Sequence, residues 1–165
     1  MRNPRISLVV GTLLVVSCEG WSPAASSKVS TDTVGVLRAT LTHVLQADST
    51  LLLETRLLPA DSSDVMSPYS GQHHAGVKPS DLIVRASRGL RGVRLYYPGQ
   101  AMPDSGTIVS LSRATINDDH TFIFVVWSSF NPRWGYSAHF RRLRLEHNSG
   151  GGWQVVSSVF AGQEN

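Results

Sequence analysis

The chain holds one cysteine in 165 residues, few charges, almost no lysine and no apolar run of bilayer length. Each shortage excludes something. A single thiol forbids an intramolecular disulfide, and it cannot supply the converging thiolates of a structural zinc site. Charged residues make up 16% of the sequence, against about 25% in ordinary soluble domains. The formal net charge of +3 is small, and Arg2 and Arg5 both stand ahead of the first apolar run. Without them thirteen basic residues face twelve acidic ones, a net charge of +1. A nucleic-acid binder needs a clustered basic patch. The one cluster here, Arg141, Arg142 and Arg144 with Glu146 beside it, reads as a solvated strand face, with anionic headgroups or a glycan as the alternative contact. No nucleic acid is expected as a partner. The longest apolar run, Ile6–Val16, has eleven residues, too short for a bilayer that takes roughly 20.

What is present at the N-terminus is a leader. Two arginines precede "ISLVVGTLLVV", and small Ser17 and Cys18 follow. That is the layout of a secretory signal peptide over residues 1–17. A surface helix of this length would keep a polar face, and this run keeps none. The tetrad Val15-Val16-Ser17-Cys18 resembles the lipobox of bacterial lipoproteins. The resemblance implies cleavage after Ser17, lipid attachment at Cys18 through its sulfur, and with Glu19 next, sorting to the periplasmic face of an outer membrane. Each buried methylene of such an anchor contributes about 0.8 kcal/mol. The alternative is a secreted soluble protein cleaved further on, near "SPAAS". The membrane is thus the first expected partner.

Residues 18–30 then read as lipidated cysteine and flexible tether, because "EGWSPAASSKVS" has no period. A single α+β domain is expected over 31–165. Val34, Leu37, Leu41, Val44 and Leu45 recur at three- and four-residue steps, one apolar stripe on a helix. Ser30 or Thr31 would cap it, and Arg38 and His43 fall off the stripe toward solvent. "TLLLETR" has strand length. The stretch Pro59–Pro79 shows no sustained period, long for a loop in a compact domain. "PSDLIVRASRG" predicts a short helix capped by Ser80 and stopped at Gly89, and "RGVRLYYPG" a strand closed by a Pro-Gly turn. The last third alternates strand and turn: "GTIVSLSRATIN", "NDDH", "TFIFVVWSSF", "NPRWG", "YSAHFRRLRLEH", "NSGGG", "WQVVSSVFAG". This predicts a four-strand antiparallel meander. Its second strand is apolar on both faces, as in a strand covered on both sides. The break at Arg141–Arg142 predicts a β-bulge. The fold class is therefore α+β: an N-terminal amphipathic helix and a short second helix packed on a curved antiparallel sheet.

The C-terminal 55 or so residues resemble a motif of uncharacterised bacterial secreted and lipoprotein domains. Ser112, Arg113, Asn117, Gly135, Gly152 and Trp153 hold the matching positions. Ile116 replaces the usual Phe, and Ser128 and Ser129 stand where relatives carry cysteines, so the likeness implies no thiol chemistry here. It implies that Arg113 pairs with a carboxylate inside the sheet. A more distant fold-level likeness is to the cone-shaped NTF2-like domains.

Candidate chemistry is sparse. Ser137 and His139 in "GYSAH" share a strand face, yet the second Gly of a nucleophile elbow is missing and the context is strand to strand. His73 and His74 adjoin each other, and adjacent side chains diverge; with Asp61, Asp64 and "DDH" at 118–120 they make no metal spacing. "NDDH" itself suits a hairpin turn. Trp127 and Trp153 read as core. Arg133, Trp134 and Tyr136 lie together in a link and form the candidate ligand or partner contact. No cofactor, metal or catalytic residue is implied. The expected function is a non-catalytic binding or interaction module of the envelope, its partner an envelope protein or a small ligand. An NTF2-like enzyme with a pocket in the concave sheet face is the alternative, and a structural envelope component a second one.

Overall fold

The computed structural model describes residues 23–59, 78–97, 99–100, 106–117, 120–131, 133 and 135–164. They form an α+β structure, two helices against one seven-stranded sheet. Helix α1 spans Pro23–Ala47, β1 Leu51–Leu58, helix α2 Asp81–Ser87 and β2 Val93–Tyr96. Strands β3 (Gly106–Ser112), β4 (Thr115–Ile116), β5 (His120–Asn131), β6 (Gly135–His147) and β7 (Trp153–Glu164) follow. Cys18, the expected lipid-attachment residue, and most of the 59–79 stretch lie outside the described residues.

Helix α1 begins at Pro23, inside the stretch read as tether. Proline suits the first helical position, where its missing N–H costs nothing, and the alanines after it have the highest helix propensity. The expected stripe is the buried one: Leu37, Leu41 and Val44 are fully covered. Arg38 is exposed as expected, but it has a task. Its Nη1 donates to the carbonyls of Ala86 (3.3 Å) and Arg88 (2.9 Å) at the end of α2, satisfying acceptors the helix leaves open. Helix α2 starts after Ser80 as expected, yet the Ser80 hydroxyl makes no cap bond. Its backbone N–H donates to Thr55 O instead, at 2.7 Å, tying the helix to β1. Gly89 follows with φ +77°, the left-handed conformation glycine adopts without a Cβ penalty.

The strand order is β2-β1-β3-β5-β6-β7, with β4 paired to β5. The meander β3-β5-β6-β7 is antiparallel as expected, whereas β1 runs parallel to both β2 and β3. The sheet is therefore mixed. The hairpin of β6 and β7 is closed by Asn148, whose Oδ1 accepts the N–H groups of Gly150 (3.0 Å) and Gly152 (2.9 Å).

The core lies between the helices and one face of the sheet, from Leu53, Val109, Leu111, Ile123, Val125, Leu143 and Leu145 against Leu37, Leu41 and Ile83. A second, smaller cluster of Leu58, Val126, Ala138 and Phe140 is buried on the opposite face. Strand β6 serves both. Its ladder to β5 runs in unbroken register from Gly135 to Glu146, so the expected bulge at Arg141–Arg142 is absent from that ladder. The alternation breaks there because the buried face changes: Ala138 and Phe140 on one side, Leu143 and Leu145 on the other. The extra residues sit on β7, where the register shifts opposite Phe140/Arg141 and Arg144/Leu145.

Candidate functional site

Between the last turn of α1 and its face of the sheet lies a cleft of about 810 Å³, within the size range of small-molecule sites. Helix α1 contributes His43, Val44 and Ala47, and Asp48 follows it. The floor is built by Val109 of β3, Trp127 of β5 and His139, Arg141 and Leu143 of β6. Leu52, Arg94 and Thr107 line it from the starts of β1, β2 and β3. Val44 is the last fully buried residue of the helical stripe, and Gln46, Ala47 and Asp48 are exposed. The cleft opens where the apolar stripe stops. His43, expected in solvent, is half-buried on its wall.

Trp127 and His139 are directly opposed on β5 and β6, close enough for side chains to pair. Their rings lie 5.0 Å apart and 6° from parallel, an offset stack of the kind aromatic pairs prefer. One face of the imidazole is thereby covered, while the residue as a whole stays exposed to the cleft. This partial desolvation lowers the His139 pKa below the usual histidine value, and the positive charge of Arg141 adds to it; Asp48 pulls weakly the other way. Both causes favour the uncharged imidazole, in which one ring nitrogen donates while the other accepts.

Arg141 lies two residues along β6 and so on the same face. Its Nη1 donates to Ser158 Oγ of β7 at 3.1 Å. Among the described residues it has no carboxylate partner. The arginine cluster is divided by the sheet. Arg142 and Arg144 face the other side, Arg142 5.2 Å over the Phe122 ring and Arg144 2.7 Å from Glu146. Arg113 is exposed between β3 and β4 and has no carboxylate partner among the described residues. The buried carboxylate is elsewhere. Glu54 of β1 accepts from Ser110 Oγ at 2.6 Å and lies 3.0 Å from Arg56 Nη2. Glu54 stands on β1, the strand next to β3, and reaches across to the buried Ser110 of β3.

Of the link residues proposed as a contact, Arg133 is exposed and Trp134 lies outside the described residues. Tyr136 packs on the small cluster with Val126 and Phe140, its hydroxyl 3.2 Å from Ser128 Oγ. That places it on the face opposite the cleft. His73, His74, Asp61, Asp64, Asp118 and Asp119 lie outside the described residues, among which no group of three or more His, Cys, Asp or Glu could hold a metal ion. Trp153 is half-buried rather than fully core, its ring 3.9 Å from that of His147. No helix among the described residues is long and apolar enough to cross a membrane.

Sequence reading missed the pairing of Trp127 with His139 and Arg141. The signal was the hairpin register. With Asn131 opposite Gly135 across the link, Trp127 must fall opposite His139, and Arg141 follows on that face. Comparison with family models, characterised proteins and solved structures finds no match to this chain.

Proposed function

We propose that this is a non-catalytic binding module of the bacterial cell envelope, held to the membrane by lipid on Cys18, which takes a small ligand in the cleft beside α1. The observation that carries the binding reading is the Trp127–His139 stack set in an open cleft of about 810 Å³. A structural component would be expected to fill that space with side chains. An enzyme would bring together at least two ionisable groups of shifted pKa in an enclosed cavity. Here the cleft is open, and His139, whose pKa burial lowers, is exposed within it. The anchor rests on the leader, with its two arginines, its eleven-residue run and its "VVSC" tetrad.

Ligand-observed NMR of the full chain against a mixed fragment set tests the cleft. Hits that vanish with Trp127→Ala support the reading, and hits indifferent to that change refute it. Membrane fractionation and intact mass of Cys18→Ala test the anchor separately. Unchanged mass and partitioning would overturn it.

A further inference from the structure

We infer that the cleft selects a planar anion, whose flat ring packs against the Trp127–His139 pair and whose acidic group meets Arg141. The inference rests on the binding reading above and adds the ligand's chemistry to it.

Three observations converge. First, the indole and imidazole planes are within 6° of parallel, and both rings line the cleft, so together they give it an aromatic wall. A planar ring packs on such a wall at little conformational cost. Second, Arg141 stands on the same face of β6, about 6.5–7 Å along the strand from His139. That is the reach of a carboxylate carried on a ring that packs beside the imidazole. The guanidinium is oriented by Ser158 through Nη1, and with no carboxylate partner among the described residues its other N–H groups can meet an acceptor in the fork geometry that suits carboxylates. Third, the charge of the lining is one-sided. Arg94 and Arg141 face a single acid, Asp48 at the end of α1, and a low-dielectric wall strengthens that bias. A cationic ligand would meet like charge at Arg141, and a non-planar one would forfeit the contact with the aromatic wall.

Calorimetric titration of the full chain, solubilised in a mild non-ionic detergent, with 2-naphthoate and with 2-naphthalenemethanol tests this. The two share a ring and differ in charge. The anion should bind at least about tenfold more tightly, since a charge-assisted pair exceeds a neutral one, and the gap should narrow with added salt. Arg141→Gln should bring the anion down to the alcohol's affinity and leave the alcohol unchanged, whereas Trp127→Ala should weaken both. Circular dichroism of each variant establishes that it is folded, and Arg141→Lys should retain part of the anion's advantage. Equal affinity for the two probes, with both lost in Trp127→Ala, would overturn the charge selection and leave the cleft reading standing. An anion advantage untouched by Arg141→Gln would overturn the assignment to Arg141. Binding of neither probe would overturn the inference, while the fragment screen decides the cleft.

Discussion

Removing the Glu54 carboxylate should destabilise the protein far more than its place in a leucine-rich strand suggests. Glu54 is 3% exposed, and Ser110, which donates to it at 2.6 Å, is fully buried. Arg56 lies 3.0 Å away with 11% of its side chain exposed. Its Nε and Nη2 have no well-aligned hydrogen-bond acceptor, so the contact with Glu54 is chiefly one of charge. In Glu54→Leu the Arg56 charge stays buried without compensation, a change that costs about 3–5 kcal/mol in comparable pairs. Ser110 also loses its hydrogen bond to a charged acceptor, a kind that contributes about 1.5–3 kcal/mol. For a chain of this size that corresponds to a fall in Tm of roughly 10–20 °C. Arg56→Met alone should also be costly. The double variant should be milder than the sum of the two, because a buried pair replaced by apolar groups is often neutral. Urea denaturation followed by tryptophan fluorescence gives all four corners of the cycle. The reasoning fails if Glu54→Leu costs under about 1 kcal/mol, or if the two changes add with no coupling.

Stability should depend on pH through His139. Its folded pKa is lowered by burial against Trp127 and by Arg141, with Asp48 opposing and His43 also lining the cleft. Just below about pH 6.5 the unfolded chain then binds more protons than the folded one. Stability should fall as pH drops through that value, and His139→Gln should flatten the dependence in denaturation series between pH 5 and 8. Tyr96 acts at the other end. Burial first and the Glu54 charge second raise its pKa, so stability should decline as pH rises beyond about 10, with the phenolate absorbance appearing late. Gly92 has φ +85°, and a Cβ there would press on the Ser49 carbonyl oxygen. Gly92→Ala should therefore cost about 1–3 kcal/mol, read as a lower denaturation midpoint; an unchanged midpoint would contradict the strained turn.

Much of the architecture was legible because it is periodic. The stripe Leu37, Leu41, Val44 names the buried face of α1 directly, and the turn residues between the last strands divide the meander where the ladders end. The helical start was not legible, because Pro23, Ala24 and Ala25 carry propensity without amphipathic pattern. Nor was the parallel placement of β1, which depends on a crossover and leaves no local mark. The arginines of β6 were grouped by sequence, yet alternation in a strand sends neighbours to opposite faces. Trp127 was legible as a packed residue, and its half-buried position is compatible with that. Its partnership with His139 became visible only through strand register, which a one-residue slip would erase.

The early start of α1 also bears on distance. Were lipid joined at Cys18, only Glu19–Ser22 would separate it from the first helical residue, roughly 14 Å even when stretched. From Pro23 the 25 residues of α1 rise about 37 Å, and the cleft lies at the far end, beside Val44 and Asp48. On that condition the geometry would behave as a stilt rather than a leash. It would carry the mouth of the cleft clear of the headgroups, toward solutes diffusing in the aqueous compartment.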